Sequence, residues 1–153
     1  MKTIIEIWGG AKTGKSQGIK AAALSYPFVS LIHPWGKDEY GEYWYDNYII
    51  GHYTTEDGRD VIVGFENQGD PDSCQEEWIE ACIHEECEII VCACRSRGDT
   101  RKFVRETAAK KGYQLVEITT PFHFNGEKNM PNGLKLVDFF SEYLNDLVKK
   151  CIS

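Results

Sequence analysis

The sequence predicts a single α/β domain over residues 1–153, with three layers, a mostly parallel sheet and one antiparallel hairpin. Three observations predict it. Short apolar runs of strand character alternate with stretches of helical period along most of the chain. Residues 47–66 interrupt that alternation with two β-rich runs, NYIIGHYT and DVIVGFE, around the hairpin signal Asp57-Gly58. The runs DVIVGFE and CEIIVCAC are almost wholly apolar, as strands covered on both faces must be.

Composition narrows the class. At 153 residues, with 42% hydrophobic and 12% aromatic content, the chain can bury the core of one domain and is not expected to be disordered. A formal charge of −7 disfavours indiscriminate polyanion binding, and no nucleic-acid recognition motif is legible. MKTIIEIW has neither a long apolar core nor a small-residue cleavage site, so no signal peptide is expected, and no stretch approaches the ~20 apolar residues of a membrane span. The six cysteines sit in helix and strand patterns, which predicts reduced thiols and a cytoplasmic protein.

Taken in order, KTIIEIW is the first strand. SQGIKAAALSYP is a short helix that stops at Tyr26-Pro27, because a residue before proline is pushed out of the helical region. FVSLI, 28–32, reads as a buried strand. Residues 33–48 hold no single period but carry Trp35, Tyr40, Tyr43, Trp44, Tyr45 and Tyr48, either as a recognition loop or lid, or as rings covering a sheet edge. After the hairpin, Ser73 and Glu76 form a capping-box pattern, and Trp78, Ile79, Cys82 and Ile83 mark one face of a helix. CEIIVCAC, 87–94, is a buried strand. TRKFVRETAAKK is a helix ending at Gly112, and YQLVEIT, 113–119, is a strand. The last helix, LKLVDFFSEYLNDLVKK, is expected to bury Leu136, Phe140, Tyr143 and Leu147.

The strongest motif follows the first strand. Residues 9–16, GGAKTGKS, read G-x-x-x-x-G-K-[ST] between a strand and a helix. In such a loop successive N–H groups turn inward, and the following helix dipole adds positive potential, so a polyphosphate is the fitting ligand. Gly9, Gly10, Ala11, Lys12, Thr13, Gly14 and Gln17 are therefore candidate nucleotide contacts. Lys15 is placed to reach the β/γ-phosphates and Ser16 to offer its hydroxyl to Mg²⁺. These residues resemble the Walker A loop of the P-loop NTPase superfamily, a resemblance that implies the fold and nucleotide binding and leaves the reaction open.

A Mg–triphosphate site also needs a carboxylate, which P-loop proteins usually supply at the end of an apolar strand. VIVGFE resembles a Walker B run with Glu66 in the place where Asp is commoner. Glu66 is the candidate to hold the metal or to act as base, and Asp70 is its substitute. The hairpin followed by Glu66-Asn67-Gln68-Gly69 also looks like the switch region of small GTPases, yet no Asn-Lys-x-Asp occurs. ATP is therefore expected before GTP or another NTP. Arg95 and Arg97 follow a segment, 60–94, that has no Lys or Arg. They either touch phosphate or join Arg101, Lys102 and Arg105 on a solvated helix face. His123, within TPFHFN, either closes over the base or lies in an apolar loop against the last helix. His84-x-x-Cys87 and Cys92-x-Cys94 invite a metal reading, but with Cys92 and Cys94 in a strand and Cys82 on a helix face the cysteines read as buried small hydrophobes before zinc ligands.

The expected function is Mg-ATP binding with NTP hydrolysis. Its rivals are a nucleotide or small-molecule kinase, and a nucleotide-dependent switch that meets a protein partner through the acidic helix 74–86.

Overall fold

The computed structural model describes residues 1–9, 15–33, 36–37, 43–44, 48–67, 75–96, 98–119 and 136–152. Within them the protein is mixed α/β, with a six-stranded sheet and four helices. The strands are β1 (Thr3–Gly9), β2 (Ser30–His33), β5 (Tyr48–Thr54), β6 (Asp60–Glu66), β7 (Ile89–Arg95) and β8 (Gln114–Thr119), in the order β2-β5-β6-β7-β1-β8. A separate pair, β3 (Gly36–Lys37) and β4 (Tyr43–Trp44), lies within the aromatic stretch.

Only β5 runs against the others: it pairs antiparallel with β2 and β6, while β6-β7, β7-β1 and β1-β8 are parallel. The carboxyl ends of β1, β2, β6, β7 and β8 therefore share one edge, and Tyr48 opens β5 at that edge opposite Glu66. The hairpin between β5 and β6 turns through Thr55–Arg59, where Gly58 takes a φ of 85°.

Strand alternation sends side chains to two cores. On one face Ile5, Ile7, Val63, Phe65, Val91 and Ala93 pack with Ile19, Ala22 and Ala23 of α1 (Lys15–Ser25) and Phe140, Leu144 and Val148 of α4 (Leu136–Cys151). On the other, Ile4, Ile90, Cys92 and Cys94 pack with Ile79 and Cys82 of α2 (Gln75–His84) and Val104 and Ala108 of α3 (Asp99–Lys111). Each large apolar side chain buried this way contributes about 1.5–3 kcal/mol against the entropy of ordering the chain. Helix α3 stops at Gly112, whose φ of 75° is the left-handed conformation that suits glycine, and whose N–H reaches Ala108 O.

Several expectations change. The run at 28–32 is not a buried strand: β2 spans Ser30–His33 at the sheet edge, with Ser30 exposed and the rest half-buried. An edge position leaves one side of a short apolar strand open, which local sequence does not encode. The buried stripe of α4 is Phe140, Leu144 and Val148, while Tyr143 is exposed and Leu147 half-buried. The reason is α1, which packs closely on α4: a Cβ on Gly18 would stand 2.0 Å from Phe140 Cδ1. The Ser73 cap lies outside the described residues. Cys82, Cys87, Cys92 and Cys94 are buried free thiols. The Cys82 thiol is pushed up by its contact with Cys87 and by burial, and Cys92 likewise by Cys94 and burial, which keeps both protonated.

Candidate functional site

The candidate site begins where β1 ends. Gly9 closes β1, and its carbonyl accepts hydrogen bonds from Lys15 Nζ at 2.9 Å and from the Ser96 N–H at 3.2 Å. Lys15 opens α1 and is 8% exposed, its ammonium turned back onto the end of β1. Ser16 and Gln17 are exposed on the first turn of the same helix. Gly10, Ala11, Lys12, Thr13 and Gly14 lie outside the described residues. The carbonyl of Gly9 thus ties together the end of β1, the start of α1 and the segment after β7.

Glu66 stands on the same edge, but not beside Gly9. β7 intervenes between β6 and β1, which sets Glu66 roughly 10 Å from β1 across the sheet. The β6–β7 ladder runs to Phe65 opposite Val91, whereas the β7–β1 ladder continues to Arg95 opposite Gly9. Past Val91, side chains supply the next rung of β7 toward β6. Glu66 Oε2 accepts from the Ala93 N–H at 3.4 Å, and Gln75 Nε2 donates to the Ala93 carbonyl and, at 3.4 Å, to Glu66 Oε2. Both side chains are buried, Glu66 at 0% and Gln75 at 1% exposure. Cys94 Sγ lies 3.7 Å from the same nitrogen, so three acceptors face Nε2 and the amide orientation of Gln75 follows from its partners. A buried carboxylate is costly unless such donors meet it, and here they do.

The basic segment divides. Arg95 ends β7 level with Gly9 and is half-buried, and its backbone N–H meets Thr100 Oγ1 at 3.4 Å. Arg97 lies outside the described residues. Arg101 is not part of a solvated face. Its side chain is 17% exposed, with Nε 2.8 Å from Glu6 Oε1, NH2 3.1 Å from Glu117 Oε2, and its guanidinium 4.2 Å from the centre of the Trp8 ring. Arg105 also pairs with Glu117, and Lys102 with Glu106. Burial, then the neighbouring Glu117, push the Glu6 carboxyl up, while Arg101 and Arg105 pull it back; Arg105 holds Glu117 below the ordinary carboxylate range.

A second group of rings lies at the Glu66 end of the edge. His33 and Tyr48 stack with centroids 4.0 Å apart and planes 7° apart, and Trp78 of α2 lies 6.0 Å beyond Tyr48. Asp70 and His123 lie outside the described residues. Sequence reasoning missed Gln75 and Glu6. Gln75 shares a helix face with Ile79 and Cys82, so a polar residue there had to find a buried partner; Glu6 is a lone charge inside an apolar strand.

Chemically, an ammonium and a hydroxyl on the first turn of a helix, with a strand-end carboxylate on the same sheet edge, are the donor types that a polyphosphate and a hard divalent cation require. Among the described residues no three His, Cys, Asp or Glu side chains converge as a metal-binding group, and no helix is long and apolar enough to cross a membrane. Comparison with protein-family models, with curated proteins and with solved structures finds no match.

Proposed function

We propose that the chain is a P-loop nucleotide-binding protein with the three-layer fold of that superfamily, binding Mg-ATP and hydrolysing it in the cytoplasm. The observation that carries this reading is the Lys15 ammonium seated on the Gly9 carbonyl at the base of GGAKTGKS, at the carboxyl edge of a parallel sheet. Open sheets of this kind bind ligands at that edge. Lys15 exchanges its carbonyl partner for β/γ-phosphate oxygens, and the exposed Ser16 hydroxyl, with Glu66, holds the metal side of the phosphates. Mg²⁺ supplies charge neutralisation on the phosphate oxygens. The oxygen of a water bonds to the γ-phosphorus while the bond from that phosphorus to the β,γ-bridging oxygen breaks, so ADP leaves and phosphate is formed; Glu66 takes up the water proton on its carboxylate, and Arg95, level with Gly9, offsets charge at the transferring phosphoryl group. Calorimetry with Mg-ATP and a phosphate-release assay test the reading. Binding lost in Lys15→Ala supports it, and an unsubstituted chain that takes up no nucleotide refutes it.

A phosphotransferase is the second reading, favoured by the His33–Tyr48–Trp78 rings beside Glu66, which offer a platform for a planar acceptor. ADP release that requires an added acceptor distinguishes it from hydrolysis.

A further inference from the structure

We propose that Gln75 is a positioning residue that holds the Glu66 carboxylate at the mouth of the β6–β7 gap, an inference that rests on the nucleotide-site reading for its catalytic consequence.

The argument starts from the backbone. In a parallel sheet the N–H and C=O of alternate residues point to the same neighbouring strand. β7 continues two rungs beyond Ala93 along β1, but its β6 ladder ends at Phe65 opposite Val91, so Ala93 presents a donor and an acceptor to a place where β6 offers no rung. A buried peptide group cannot remain unpaired without costing about 1–3 kcal/mol per group. Glu66 Oε2 receives the N–H, and Gln75 Nε2 meets the C=O. The two side chains are joined to each other through Gln75 Nε2 and Glu66 Oε2 at 3.4 Å. A closed triangle results, with one corner on β6, one on β7 and one on the first residue of α2.

The triangle restricts Glu66 in a manner its own strand does not. Glu66 is the last residue of β6, and a carboxylate there has three rotatable bonds. Gln75 and the Ala93 amide remove that freedom by anchoring one oxygen. Gln75 itself is fixed by the helix that carries it: Ile79 and Cys82 on the same face are both 0% exposed. The remaining oxygen of Gln75, Oε1, is buried with no hydrogen-bond partner among the described residues. Among the described residues, the ionisable groups that share this pocket are the thiol of Cys94, 3.7 Å from Gln75 Nε2, and those of Cys82 on α2 and Cys92 on β7, both of which feel the Glu66 charge.

Gln75→Met keeps the length of the side chain and removes the donor. Its expected effects are a fall of about tenfold in kcat with KM changed less than twofold, and faster hydrogen exchange at the Ala93 amide relative to Ile90, which stays in the β7–β1 ladder. The decisive comparison is the same substitution in a Glu66→Gln background. A residue that acts through Glu66 loses its effect on kcat there, to within about twofold, whereas a merely structural residue costs the same factor in both backgrounds. Gln75→Asn, which keeps the amide one methylene short, is expected to fall between Gln75→Met and the unsubstituted chain, and serves if Gln75→Met does not fold. Equal losses in both backgrounds, or unchanged kcat together with unchanged Ala93 exchange, overturn the inference and leave nucleotide binding untouched. Failure of the unsubstituted chain to bind Mg-ATP removes the site reading instead, and the Ala93 exchange then decides the Gln75–Glu66 contact by itself.

Discussion

Glu6, in the middle of β1, and Arg101, on α3, form an ion pair 2.8 Å apart with the carboxylate fully buried. The pair bridges β1, the strand that ends at Gly9, and α3, the helix that follows Arg95. Removing the cation strands the anion, so Arg101→Ala is expected to destabilise the fold by about 3 kcal/mol. Glu6 is already held above the ordinary carboxylate range by burial and Glu117, and loss of Arg101 raises it further. The folded chain then holds that proton more tightly than the unfolded one, so stability falls as pH rises from the unfolded value of 4.5 through the folded one. Urea unfolding at pH 4.5 and pH 7 checks this: the penalty of Arg101→Ala is expected to be the larger at pH 7.

Lys15→Ala is expected to raise the Kd for Mg-ATP by about 100-fold, the worth of a charge-assisted contact to phosphate. The fold should persist, because the Ser96 N–H still meets the Gly9 carbonyl. Calorimetry and circular dichroism on the same sample separate the two effects.

Glu66→Gln keeps an acceptor oxygen for the Ala93 N–H and is expected to leave stability within about 1 kcal/mol while lowering turnover by about 100-fold or more. Glu66→Leu removes both acceptor oxygens and is expected to cost about 2 kcal/mol as well. Phosphate release and urea midpoints, measured on both variants, distinguish a chemical role from a purely structural one.

Gly18→Ala would gain helix propensity on an open surface, but here its Cβ meets the buried Phe140 ring. The overpacking, about 1–3 kcal/mol, outweighs the roughly 1 kcal/mol gained from replacing glycine. The variant should melt lower, and Phe140→Leu in that background should recover part of the loss. A Tm series on the single and double variants reads this coupling.

Much of the architecture is legible in the chain. The Ala-rich run before Pro27, the Asp57-Gly58 turn and the Gly112 stop each lie where the structure has α1, the hairpin and the end of α3. These are local signals, carried by residues whose backbone preferences act without a partner. The same holds for Glu66 as a strand-end carboxylate and for Lys15 at the start of a helix. Less was legible where partners decide: FVSLI is apolar enough for a buried strand but lies at an edge, and α4 turns Leu144 rather than Tyr143 inward.

By itself the sequence determined the order of the six sheet strands and the helices along the chain, though not the short β3–β4 pair, and with it the motif at 9–16 and the strand-end position of Glu66, because steric and periodic preferences operate over a few neighbouring residues. Tertiary structure alone decided that β7 lies between β1 and β6, that Arg101 serves Glu6 instead of solvent, and that Gln75 completes the rung beside Glu66. Those outcomes depend on which buried polar groups meet once the sheet is assembled. A charge or amide removed from water must find its counterpart wherever the fold places one.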